Sequence, residues 1–327
     1  MTAPEDLTGL LPPAPPGRPL PRHAGHRAEL LAVIAAEERL RSRPSRPGWR
    51  RGRHWLVPLT AAAAVLVVLA SVALVQALGG AGGHHASPAA AGPGQPASGT
   101  VAFSTASGHP RIRHALVTAA VRQVMVAAGA GDITVGGGAR GTVAITAQLS
   151  YHGRAPVLHG MVRDGRLTLG YQCAAGAACG ASFVLQVPSG ITVSARNGAG
   201  DVRLAGLAGP VTAIDGTGDI SLSGLSGPVR AQDRTGDVSG RGLRSADAAL
   251  SSGLGDIDVS FTRPPDRLVV TDNLGQVMIS VPGSVSYRIT AHSNLGTVRA
   301  SVPRRAGSPH RITATSRLGD VAIVPEG

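Results

Sequence analysis

The chain has 327 residues, of which 43% are apolar but only 2% aromatic, so its core has to come from Ala, Val, Leu and Ile rather than from rings. With 45 Gly and 24 Pro, it suits a thin core crossed by frequent turns, as in repetitive β architectures, better than a compact globule. The formal charge of +12 is carried by Arg alone, and no basic stripe interleaved with aromatics occurs, which argues against nucleic acid as a partner.

Residues 1–54 are predicted to be cytoplasmic and largely disordered, beginning with a Pro-rich, aperiodic stretch. Within them, 25–42 carries a helical spacing of Leu30, Leu31, Ile34 and Leu40, which suits either a partner helix or a short solvated one. Residues 55–78 (WLVPLTAAAAVLVVLASVALVQAL) are 24 positions without a formal charge. As a helix they would span about 36 Å, enough for a hydrocarbon core of ~30 Å. Pro58 falls in the first turn, Trp55 suits the interface, and Gly79 and Gly80 end the segment. Seven Arg lie between Arg39 and Arg53, whereas the first Arg after the span is Arg111. The positive-inside rule then places the N-terminus in the cytoplasm and the C-terminal part outside the plasma membrane. A cleaved signal peptide is the competing reading, with small residues available at Ala89–Ala91, but the apolar run is long and starts late. Residues 79–100 read as a flexible Ala/Gly/Pro linker, in which His84 and His85 are not expected to hold a metal.

Residues 101–327 are predicted to form an all-β domain, a β-solenoid of stacked short-strand repeats preceded by the single transmembrane helix. Alternating runs such as VRQVMV (121–126) and TVAITAQ (142–148) are bounded by Gly, Asp, Asn or Pro. Cys173 and Cys179 bracket CAAGAAC; outside the cytoplasm a disulfide is expected, with two reduced thiols at a turn as the alternative. A tetrapeptide then recurs: GAGD at 198–201, GTGD at 216–219, RTGD at 234–237, GLGD at 253–256, NLGQ at 273–276, NLGT at 294–297 and RLGD at 317–320. An earlier GAGD sits at 129–132. After each comes one alternating run (DVRLAG, GDISLS, GDIDVS), and in several copies a second follows (GPVTAI, GPVRAQ, DRLVVT, SYRITA, HRITAT). One repeat is thus strand, turn, strand, turn, and it buries its apolar face only against its neighbours.

The glycines Gly131, Gly200, Gly218, Gly236, Gly255, Gly275, Gly296 and Gly319 are expected to supply positive φ at one corner. Asp132, Asp201, Asp219, Asp237, Asp256 and Asp320 are expected to cap turns there. From about Val121 the chain resembles a bacterial putative-adhesin family of unknown function, on the strength of GAGDITV (129–135), VPSGITV (187–193) and the Gly-x-Gly-Asp series. The resemblance implies a β-solenoid, a membrane anchor and a cell-surface role, and it brings no catalytic residues.

Stacking would align Asp201, Asp219, Asp237 and Asp256 in one column and Asp215 with Asp233 in another, with like charges one rung apart. Three resolutions are open: each acid caps its own turn, Arg203, Arg230 or Arg234 neutralises the column, or calcium binds in it; the calcium-binding repeat, however, places its Asp every nine residues rather than eighteen. No cofactor or metal is expected. The acids are spread rather than clustered, His152, His159, His292 and His310 are dispersed, and no nucleophile elbow or zinc helix occurs, so the chain is not expected to be an enzyme. The expected role is a membrane-anchored surface protein that meets an envelope glycopolymer or another surface protein. A sensor signalling through its cytoplasmic segment is the alternative, and a polysaccharide-degrading enzyme a lesser one.

Overall fold

The computed structural model describes residues 98–138 and 141–327. The anticipated 25–42 helix, the 55–78 span and nearly all of the linker lie outside these residues. Among the described residues every regular element is a strand, and no helix is long and apolar enough to cross a membrane.

The regular part coils between two facing parallel sheets. One sheet receives β4 (Gln123–Ala128), and after the first GAGD turn the chain enters the other sheet as β5 (Ile133–Gly137). The same step recurs in β10/β11 (Thr192–Asn197, Val202–Ala205), β12/β13 (Val211–Asp215, Ile220–Ser223) and β14/β15 (Val229–Asp233, Val238–Leu243). It continues in β16/β17 (Asp247–Leu254, Ile257–Phe261), β18/β19 (Arg267–Leu274, Val277–Val281), β20/β21 (Arg288–Leu295, Val298–Ala300) and β22/β23 (Arg311–Leu318, Val321–Pro325). Alternate residues point inward and are buried, for example Val193 and Ala195 against Val202 and Leu204. Each fully buried Val, Leu or Ile stabilises by roughly 1.5–3 kcal/mol, which the ladders supply rung after rung without aromatic bulk. The large exceptions are Phe183, Phe261 and Tyr287, all fully buried.

The rungs do not stack in chain order at the C-terminal end. β22 pairs with both β18 and β20, and β23 with both β19 and β21, so the last rung inserts between the two before it. The connection 282–287 skips one rung position on the way from β19 to β20, and 301–310 brings the chain back by one rung to fill it.

The other end is not repetitive. Between β5 and β10 the chain makes β6 (Val143–Tyr151), β7 (Val157–Arg163), β8 (Arg166–Gln172) and β9 (Cys179–Val187). Before β4 it makes β1 (Gly99–Thr100), β2 (Ser104–Ala106) and β3 (His109–Val117). β8 and β9 continue the two sheets in parallel, and β7, β1, β6, β3 and β2 then add antiparallel strands beyond them. This cap is where the solenoid expected over all of 101–327 gives way to hairpins, because the segment lacks the Gly-Asp period.

Candidate functional site

Two corners join the sheets. At the first, the tetrapeptide turn is the same in every rung. Gly200, Gly218, Gly236 and Gly255 have φ of 118°, 143°, 145° and 139°, and Gly131 and Gly319 have 121° and 140°. Gly275 and Gly296, at 158° and 154°, lie at the extended margin of that range. A second constraint acts on all of them. A Cβ added to Gly218 would collide with the carbonyl oxygen of Gly200, and one on Gly236 with that of Gly218. The corner glycines therefore serve rung-to-rung packing as well as backbone conformation.

The acid that ends the tetrapeptide reaches across to a neighbouring rung. Asp132 Oδ1 accepts the backbone N–H of Asp201 at 3.0 Å, Asp201 that of Asp219 at 3.0 Å, and Asp219 that of Asp237 at 2.9 Å. Asp237 accepts from Asp256 at 2.7 Å and Asp256 from Gln276 at 2.7 Å. At the far end Asp320 accepts from Thr297 at 2.7 Å, and that bond holds its carboxyl below the usual carboxylate range. These side chains form a hydrogen-bonded ladder parallel to the strands' own ladders. Arg203 pairs with Asp201 and approaches Asp132 at 3.9 Å; Arg230 and Arg234 make no ion pair among the described residues. Among those residues no three His, Cys, Asp or Glu side chains converge as metal ligands would.

The side chains that fold over their own turns stand one position before the tetrapeptide. Asn197 Nδ2 donates to the Gly200 carbonyl at 2.7 Å. Asp215 Oδ1 accepts from Gly216 N–H at 2.8 Å, and Asp233 Oδ1 from Thr235 N–H at 3.1 Å. Asp215 and Asp233 are register partners, and Ser252, Asp272 and Ser316 continue the column toward the C-terminus. All are buried, and the second oxygens of Asp215 and Asp233 and both oxygens of Asp272 lack a hydrogen bond. Burial, reinforced by the charge of Asp215, pushes Asp233 up to about 6; burial, reinforced by Asp256, does the same to Asp272. Asp215 is raised by burial as well. The Asp215/Asp233 column is legible from the eighteen-residue period, but Asn197, Ser252, Asp272 and Ser316 are not singled out by it. Their common mark is a small polar residue before each of the seven consecutive tetrapeptides, whereas Ala128 precedes the earlier GAGD.

In the cap, Cys173 and Cys179 form a disulfide with Cα atoms 5.8 Å apart, clipping the passage from β8 to β9. A loop this short contributes roughly 2–3 kcal/mol in the chain-entropy picture. Tyr171 joins the cap to the stack: its hydroxyl accepts from Ala130 N–H at 2.6 Å and donates to the Ala130 carbonyl at 2.9 Å, inside the first GAGD turn.

The second corner varies from rung to rung. Its connections are 206–210, 224–228, 244–246, 262–266, 282–287 and 301–310, so the growth in repeat length falls here. Three consecutive rungs begin in register with Arg: Arg267 beside Arg311, and Arg311 beside Arg288.

Comparison with curated proteins gives no match. Among solved structures, the chain aligns with a putative cell adhesion protein from Clostridium sporogenes at 12% identity and a TM-score of 0.33, over 71% of this chain and all of that one. Residues 187–323, from the end of β9 into β23, match the family described as Toastrack DUF4097.

Proposed function

We propose that the chain is a membrane-anchored surface protein whose β domain, from residue 101 onward, stands outside the plasma membrane as a rigid, non-catalytic binding scaffold. Anchorage rests on the uncharged 55–78 segment, and orientation on the seven Arg that precede it. The disulfide fits an oxidising compartment outside the cytoplasm.

The observation that carries the binding reading is the repetition of exposed side chains at rung spacing, about 4.8 Å, along a stiff stack. Such rows suit a partner with its own repeat, such as an envelope glycopolymer. The domain's acids support a non-catalytic role. The tetrapeptide acids are spent on neighbouring backbone N–H groups, and the buried Asp215, Asp233 and Asp272 face the interior, so neither set is arranged as a facing pair across a cleft.

The test is an envelope-fraction pull-down with the full chain, combined with protease treatment of intact cells. Retention on envelope material and cleavage of the β domain from outside support the proposal. Absence of both removes it. A second reading, envelope sensing, is favoured by the helical spacing in 25–42. Deleting 1–42 separates the two: a lost transcriptional response with surface display intact supports sensing.

A further inference from the structure

The arginines at the second corner form a longer row than the two paired contacts suggest. Arg267, Arg311 and Arg288 open β18, β22 and β20, which are adjacent in that order. One position earlier, Tyr287 makes a parallel bridge to Arg304 in the 301–310 connection. Tyr287 N–H donates to the Pro303 carbonyl at 2.9 Å, and Arg305 N–H donates back to the Tyr287 carbonyl at 3.0 Å. At this one position the connection runs alongside the start of β20, and it sets Arg305 beside Arg288. The result is a row Arg267, Arg311, Arg288, Arg305, every member exposed. At one rung each, its four charges span about 14 Å.

This row has no internal compensation. Among the described residues the ion pairs are Arg163–Asp164, Arg203 with Asp132 and Asp201, and His310–Asp266, and none includes a member of the row. Asp266, the acid just before Arg267, lies 3.3 Å from His310 Nδ1. Asp247 stands in register at the far side of Arg267, at one end of the row only. Like charges at rung spacing repel one another. The anchoring of the row is rigid: Tyr287 is fully buried, and its hydroxyl donates to the Pro282 carbonyl at 2.8 Å.

We propose that Arg267, Arg311, Arg288 and Arg305 form a binding row for a linear anionic glycopolymer that lies along the stack and places a phosphate or carboxylate at successive guanidinium groups. This rests on the surface-binding reading above and deepens it by naming the ligand class and the site. A guanidinium holds either anion through two parallel hydrogen bonds, which suits a row of Arg better than a row of Lys. A single phosphate would meet one or two of the four; a polymer meets all and gains by multivalency. Nucleic acid is disfavoured because the Phe and Tyr rings at this corner, Phe261 and Tyr287, are buried and offer no stacking face.

The experiment measures binding of fluorescent poly(glycerol phosphate) and of polygalacturonate to the full chain by anisotropy at several salt concentrations. Inorganic phosphate and single-stranded DNA serve as comparison probes. The proposal expects at least one polymer to bind at least tenfold more tightly than phosphate or DNA; the stronger of the two tells phosphate from carboxylate. The variant R267Q/R288Q/R305Q/R311Q should lose at least tenfold in affinity, and its log K against log salt slope should shrink by about three. A variant with the same charge change elsewhere, R154Q/R163Q/R230Q/R241Q, should stay within twofold.

Equal loss in both variants, or tighter binding of DNA, overturns the proposal. Thermal unfolding of the row variant should be unchanged or higher, because repulsion is removed. If it fails to fold, the four-lysine variant decides: weakened polymer binding supports the row, and unchanged binding overturns it. Retention of the wild type on envelope fractions without binding to either polymer removes the row and leaves the surface-binding reading standing. Retention on neither removes both.

Discussion

The two corners of the stack solve different problems. The tetrapeptide corner keeps its glycine in every rung: a neighbouring backbone carbonyl leaves no room for a Cβ, and aspartates, where present, bond to a neighbouring rung's N–H. The second corner ranges from 244–246 to 301–310, tolerates a crossover, and collects arginines. Where every rung has to meet its neighbour through backbone, chemistry is fixed; where the chain turns in solvent, length and charge are free to vary. This separation lets one edge hold the stack while leaving the other free for the proposed binding row.

The largest expected effect breaks the comparison at its strict side. Gly236→Ala meets both a φ of 145° and the Gly218 carbonyl, and should cost about 3 kcal/mol or more. Gly307→Ala, in the 301–310 connection, has open space around it and should change stability by less than about 0.5 kcal/mol. Guanidinium unfolding of the two variants measures the contrast directly; equal effects would refute the division of labour.

A smaller effect comes from the buried column beside the strict corner. Asp233 and Asp272 have folded-state values of about 6, above the ordinary 3.8. A raised carboxyl binds its proton more tightly in the folded chain, so its contribution is fully present below about pH 4 and is lost as the pH rises through about 6. Asp233→Asn should stabilise the domain at pH 7.5 by up to roughly 3 kcal/mol and flatten the dependence between pH 4 and 6. Asn197, in the same column, shows that a neutral amide fits there. Thermal melts of wild type and variant across that range check the sign; a variant less stable at pH 7.5 would show that the charged form is the favoured one.

The smallest effect sharpens the comparison at the exposed ladder. Asp219→Ala removes the acceptor for Asp237 N–H, which then turns to water, and should cost about 0.5–1.5 kcal/mol. Loss of protection at the Asp237 amide in hydrogen exchange would accompany it, while an unchanged exchange rate would mean that the side-chain ladder contributes nothing.

Much of the stack is legible in the sequence because its period is carried by residues with few alternatives. Gly at each tetrapeptide corner, followed by Asp in most copies and then by alternating Val, Ile and Leu, specifies turn, strand and inward face. The order of the last rungs is not legible, because β20 and β22 both open with Arg-Ile-Thr-Ala and either can pair with β18. Nor does sequence tell whether an aspartate bonds within its own rung or to the next, since the Gly-Asp turns of successive rungs read alike. The cap escapes for the opposite reason: its hairpins have no period, and Tyr171 docks on Ala130 across forty-one positions of chain. The arginine row lies between these cases. DRLVVT, SYRITA and HRITAT show three of its members aligned, but Arg305 joins only because the 301–310 connection runs beside Tyr287.

The most direct measurement is hydrogen exchange across the whole chain with and without bound poly(glycerol phosphate) or polygalacturonate. Added protection confined to the second corner, around 263–267, 286–289 and 303–311, is the predicted footprint. Protection centred on the Gly-x-Gly-Asp corner, or spread evenly over both, would contradict the claim that one edge holds the stack and the other meets the ligand.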